Sequence, residues 1–323
     1  MIRENLAYAA FAFLLCFQIG CKSSTGPAAT NTGGASGTFV FGEAIDEVAT
    51  TTLGSNRSSV LFHGDDPSFI GNGKVLYSVL GSYTADQFEQ IVSSSIDGTG
   101  ATTLVDLGEW NSYVYLHPKM SPDGKYITFN YWSDVAQKFG TKFGTILFPT
   151  DGSQPLIMED YWDAAWTPDG SLILSATLTP IGTQSTTYHG GGLFKLNSSF
   201  TSATQIGTGL TAPQYPAVSP DGKRIAFAMN SHIWTINMDG TGLKQITTGS
   251  NQETYSTWSP DGSSIACVTD GDIGLTGGNS LAIVSSNPTT PVIVSQDNSS
   301  VYVKDNTNST TGTLNPQGNI SWR

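Results

Sequence analysis

Asp66, His117 and Asp163 are three groups able to pass protons among themselves, and the chain repeats their setting. Each stands five residues before a turn proline or its equivalent, and the same offset picks out Tyr215, Tyr255 and Thr311. All six side chains can hydrogen-bond and none is aliphatic. A histidine near carboxylates can titrate near neutral pH and act as a general acid or base. No strong nucleophile motif accompanies the group, since G-x-S-x-G and H-E-x-x-H are both absent. The chain has 14 Lys and Arg, and none falls at these six positions. No metal-ligand cluster and no cofactor motif is present, so no catalytic residue, metal or cofactor is assigned. Two readings are open. Either strand starts near solvent are simply polar, or the six form a ring of donors and acceptors that binds a ligand.

The elements that must position them come from an internal repeat. "SPDGKYITF" from Ser121, "TPDGSLILS" from Thr167, "SPDGKRIAF" from Ser219 and "SPDGSSIAC" from Ser259 are four full copies. "IGNGKVLYS" from Ile70 and "NPQGNISW" from Asn315 are two degenerate ones. Proline presets φ, aspartate bonds its own backbone and glycine takes the left-handed angle that closes the turn. An alternating strand follows each turn: Ile265 and Cys267 face one way, Ala266 and Val268 the other. The glycines Gly73, Gly124, Gly170, Gly222, Gly262 and Gly318 are 51, 46, 52, 40 and 56 residues apart. That is the length of a four-stranded propeller blade with variable loops.

An all-β, six-bladed β-propeller of four-stranded antiparallel blades is therefore expected over residues 38–323. Apolar residues two before the turn proline recur as inter-blade packing: Phe69, Met120, Trp166, Val218, Trp258 and Leu314. After Gly318 only "NISWR" remains, enough for one strand, the second of its blade. "TFVFGEA" from Thr38 and "SSVLFHG" from Ser58 supply the third and fourth, closing the ring by pairing N- and C-terminal strands. Composition agrees. Charged residues are only 12%, about half the usual share, which suits short strands and turns. The net charge of −12 and the lack of a basic cluster exclude a nucleic-acid partner.

Ser-Pro-Asp-Gly-Lys followed by "IAF" and "IWTINMDGTGLKQIT" resembles the repeat of TolB-type six-bladed propellers over roughly residues 38–323. The resemblance implies the fold and a tendency to bind protein or peptide partners across the ring. TolB carries a further α/β domain before its propeller; here a Ser/Thr/Gly/Ala-rich stretch, 21–37, reads as a flexible tether.

The first twenty residues read as a signal peptide. Arg3 precedes the apolar run "LAYAAFAFLLCF", too short to span a bilayer comfortably. "FQIGC" then resembles the lipobox of bacterial lipoproteins, with Cys21 as the lipidated residue and Gln18 where that motif usually carries an aliphatic side chain. An ordinary signal peptide cut nearby is the rival reading. The expected location is outside the cytoplasm, lipid-anchored to the bacterial envelope and on its outer membrane, facing the periplasm or the surface.

Long loops on the face of the six polar positions carry aromatics, among them Tyr131, Trp132, Tyr161 and Trp162. Such rings offer rigid contact area to a protein or to the faces of sugars. The chain thus reads as a non-enzymatic envelope protein that binds a protein or peptide through Asp66, His117, Asp163, Tyr215, Tyr255, Thr311, Trp132 and Trp162. The alternative is a carbohydrate-binding or carbohydrate-active propeller. The two differ in whether His117 reaches Asp66 or Asp163 inside an open pocket.

Overall fold

A computed structural model describes residues 37–44, 47–53, 58–80, 88–106, 113–133, 143–159, 161–176, 191–270, 279–295, 298, 301–304 and 317–323. The signal segment, the tether with Cys21, and Thr311 lie outside the described residues. The rest forms six four-stranded antiparallel sheets, the blades of a β-propeller, plus one short parallel pair of strands.

From the inside outward, the first blade is Asp65–Ile70, Lys74–Leu80, Phe88–Ser95 and Thr102–Asp106. The inner strands of the next four are Tyr113–Met120, Tyr161–Trp166, Gln214–Val218 and Gln252–Trp258. The sixth blade begins with Gln317–Trp322 and continues through Thr38–Ala44, Glu47–Thr52 and Ser58–Phe62. Each inner strand touches the next, and Gln317–Trp322 meets Asp65–Ile70. The ring is therefore closed.

Closure joins the two ends of the chain, as expected, but with a different division of strands. "NISW" belongs to the innermost strand of the sixth blade and not the second. The N-terminal part supplies three strands, including the Thr-rich Glu47–Thr52 that the repeat pattern did not reveal. Gly318 lies inside Gln317–Trp322 and closes no turn, whereas Gly73, Gly124, Gly170, Gly222 and Gly262 all have φ between 70° and 80°.

The alternation of each strand feeds two separate cores, one on either side of its blade. Ile265 and Cys267 pack toward the fourth blade; Ala266 and Val268 pack toward the sixth. Every joint between consecutive blades holds one such cluster. The repeated apolar position sits in these joints: Phe69, Met120, Trp166, Val218 and Trp258. In the sixth blade Trp322 fills the role, 7% exposed and stacked on Phe39 at 4.6 Å between centroids. The indole N–H groups of Trp166 and Trp258 also reach back to the carbonyls of Lys119 and Ala217 on the preceding inner strands.

Truncating Trp322 to alanine is expected to lower stability by about 3–5 kcal/mol, the usual range for a buried Trp. Urea unfolding would measure it. A loss below about 0.5 kcal/mol would show that Trp322 does not hold the joint between the fifth and sixth blades.

Candidate functional site

The six polar positions owe their placement to an irregularity in the innermost strands. In the first five blades the pairing with the second strand slips between Asp65 and Ser68, Leu116 and Lys119, Tyr161 and Ala164, Gln214 and Ala217, and Thr254 and Thr257. The sixth slips between Gln317 and Ile320. Each slip is a β-bulge, which re-aims a side chain and leaves a backbone group outside the ladder. Asp66, His117, Tyr215 and Tyr255 take left-handed φ values of 49°, 54°, 52° and 48° there. For a residue with a Cβ this costs roughly 1–2 kcal/mol apiece.

A buried N–H released from the ladder needs another acceptor. Two carboxylates provide it across blade joints. Asp66 Oδ2 accepts from the His117 N–H at 3.2 Å, and Asp66 Oδ1 from the Asn319 N–H at 2.9 Å. Asp163 Oδ2 accepts from the Tyr215 N–H at 3.0 Å. Asn319 is therefore the sixth-blade counterpart of the other five, three residues before Trp322 as Tyr255 is before Trp258. The offset from the turn points to Thr311 instead, because Asn315–Gly318 imitates the turn in composition.

His117 sits between the two carboxylates. Its Nδ1 donates to Asp163 Oδ1 at 2.8 Å, and its Nε2 lies 3.6 Å from Asp66 Oδ2, an ion-pair distance too long for a hydrogen bond. Asn130 Nδ2 donates to the same Asp163 oxygen at 2.8 Å. The Thr145 hydroxyl lies within hydrogen-bond distance of both Asn130 Oδ1 and the Tyr161 carbonyl. Tyr215 and Tyr255 close the other side, their centroids 4.0 Å apart and 5.9 and 5.6 Å from that of His117. Burial pushes both phenols up.

Lys119 is a participant the sequence reading passed over. It is half-buried two residues beyond His117, and its Nζ donates to the Ala164 carbonyl at 2.8 Å. Ser68, at the equivalent position of the first blade, donates to the Pro118 carbonyl in the same way. Burial lowers the Lys119 pKa against the opposing pull of Asp163 and Asp66. The offset of two from each ring position would have revealed it.

The discriminating test on His117 has a clear result. It reaches Asp163, but in a closed setting: Asp66, His117 and Asp163 are 3%, 8% and 2% exposed. Asp66 and Asp163 already accept hydrogen bonds from backbone N–H groups of three other blades. Of the aromatics, Tyr131 is buried in the joint between the first two blades, and Tyr161 packs edge-on to Phe194 at 5.8 Å. All four expected loop aromatics stand in strands instead: Tyr131 and Trp132 in Tyr126–Ser133, Tyr161 and Trp162 in Tyr161–Trp166, with Trp162 half-buried beside Asp163.

No family model matches the chain, and no curated protein matches it by sequence. Solved structures do match its fold. TolB from Acinetobacter baumannii superposes with a TM-score of 0.61 at 15% identity, over 88% of this chain and 66% of that one. A putative TolB from Agrobacterium tumefaciens gives 0.56 at 16%, over 89% and 96%. A puromycin-hydrolysing peptidase of Mycobacterium tuberculosis gives 0.52 at 13%, over 81% and 43%. This chain thus spans about two thirds of the first and under half of the third. Such likeness shows the propeller fold, which hosts unrelated functions.

Replacing Asp163 by alanine leaves the His117 ring, the Asn130 amide and the Tyr215 N–H without their acceptor. The expected cost is about 3–5 kcal/mol, as for breaking a buried ion pair from one side. Urea titration beside Asp261→Ala, which alters only an exposed turn, checks it. Equal losses in the two variants would contradict a role for Asp163 across the blades.

Proposed function

We propose that this chain is an exported, lipid-anchored binding protein of a bacterial envelope. It takes a protein or peptide partner on the face of the propeller that carries the polar ring, and it is not an enzyme. The observation that carries this reading is the closed state of the acid–base group at the centre of the ring. His117, Asp66 and Asp163 are buried and engaged with one another and with backbone N–H groups, so they tie the inner strands into a rigid scaffold. Long loops on a rigid scaffold are where binding residues concentrate. Trp162 and Trp132 are the aromatic contacts assigned to that face, with Tyr215, Tyr255 and the polar ring beneath.

Lipidation at Cys21 tethers the propeller through residues 21–37. A single acyl chain anchors only marginally, so stable attachment implies more than one chain on this cysteine. The outer membrane is the proposed site of attachment. The TolB likeness supports an envelope role at the level of fold. The tendency to bind protein partners that the resemblance to TolB-type repeats implies agrees with it.

The test is capture of partners from solubilised envelope by the tagged full-length protein beside a Trp132→Ala/Trp162→Ala double variant shown to melt cooperatively. The expected result is a protein retained by the wild type and reduced at least about tenfold, or 1.4 kcal/mol, by the variant. Equal retention would remove binding from this face. No protein in either sample would turn the reading toward sugars, for which a glycan array is the direct probe. In parallel, Cys21→Ala is expected to abolish incorporation of labelled palmitate. Undiminished labelling would refute the anchor.

A further inference from the structure

His117 occupies an unusual electrostatic position. One imidazole of the second blade separates a carboxylate of the first from a carboxylate of the third, and both are almost wholly buried. The two carboxylates in turn hold the bulge N–H groups of His117, Tyr215 and Asn319. The state of one ring therefore bears on four blade contacts at once.

We propose that His117 is a proton-operated clasp at the mouth of the propeller: its imidazolium draws the inner strands of the first and third blades together, and its neutral ring lets the first blade go. This goes beyond the binding role proposed above and stands without it. If the face does bind a partner, the clasp makes the shape of that face depend on pH.

The asymmetry follows from the distances. Loss of a proton leaves the tautomer with hydrogen on Nδ1, because that atom already donates to Asp163 at 2.8 Å. Nε2 then turns a lone pair toward Asp66 Oδ2 at 3.6 Å, and an attraction becomes a repulsion. The Asp163 side keeps its hydrogen bond and its Asn130 donor. The Asp66 side loses its ion pair and with it the restraint on the His117 and Asn319 amides.

Other groups facing the ring do not substitute for the proton. Lys119, on the same strand, repels the imidazolium and is held on the Ala164 carbonyl. Tyr215 and Tyr255 present ring edges, and burial keeps their hydroxyls protonated. Asn130 and Asn319 carry no charge. Burial opposes the charge on His117, but the Asp66 charge and the hydrogen bond and charge of Asp163 together outweigh it, so the pKa is raised from 6.5. A raised histidine contributes stability in full below its unfolded value. That contribution is lost as pH rises through the folded one.

Amide hydrogen exchange on the full chain from pH 5 to 9, corrected for the intrinsic pH dependence, tests the clasp without any partner. Protection of the His117 and Asn319 amides is expected to fall as pH passes the imidazole pKa, by about tenfold per unit of its elevation. The Tyr215 amide should hold its protection. The step should vanish at Asn319 in His117→Gln, and again in Asp66→Asn, which keeps the shape of the carboxylate should the first variant fold poorly. Protection flat with pH in the wild type would overturn the proposal. So would an equal fall at Tyr215, or a step that persists in the variants.

Discussion

Every inner strand of this propeller bulges at the same place, and every bulge takes a backbone N–H out of its ladder near the axis of the ring. That unpaired donor is the constraint on which the centre of the molecule depends. In a buried setting it costs about 1–3 kcal/mol if left unmet. Asp66 and Asp163 meet three such donors, each across a joint between blades. The left-handed backbone at four of the positions is maintained because the surrounding strands over-determine it.

The chemistry of the centre follows. Two buried carboxylates need compensating charge, and Lys119 and, when protonated, His117 face them from one strand of the second blade. The histidine is committed to Asp163 and the carboxylates to backbone N–H groups. The polar ring then serves as a floor whose geometry the six apolar joints hold from outside. A chain with only 12% charged residues has concentrated part of its charge where it braces the fold.

The fold was legible because the turn chemistry is repeated in nearly literal form. Ser219-Pro220-Asp221-Gly222 closes as its residue types require, with the Ser219 hydroxyl on Asp221 and Gly222 at φ 71°. The ring was legible for five of six positions, since a fixed offset from that turn survives wherever the turn does. It failed in the sixth blade, where Asn315–Gly318 has the composition of a turn and Gly318 lies in a strand. Asn319-Ile320-Ser321-Trp322 repeats the pattern of Tyr255-Ser256-Thr257-Trp258, and that likeness carried the true register. What no spacing could reveal was the bulge. A slip in pairing of one residue, or two in the sixth blade, is decided by three-dimensional contacts across blades, and it is what turns polar strand positions into a buried, mutually bonded cluster.

The most direct test of this account is a double-mutant cycle on Asp66→Asn and Asp163→Asn, measured by urea unfolding at pH 6. The two residues belong to different blades and meet through His117. The account predicts that the double variant loses less stability than the sum of the singles, with a coupling of about 1–3 kcal/mol. Additivity within about 0.5 kcal/mol would mean that the carboxylates act independently, and the centre would then be a set of polar strand ends with no shared clasp.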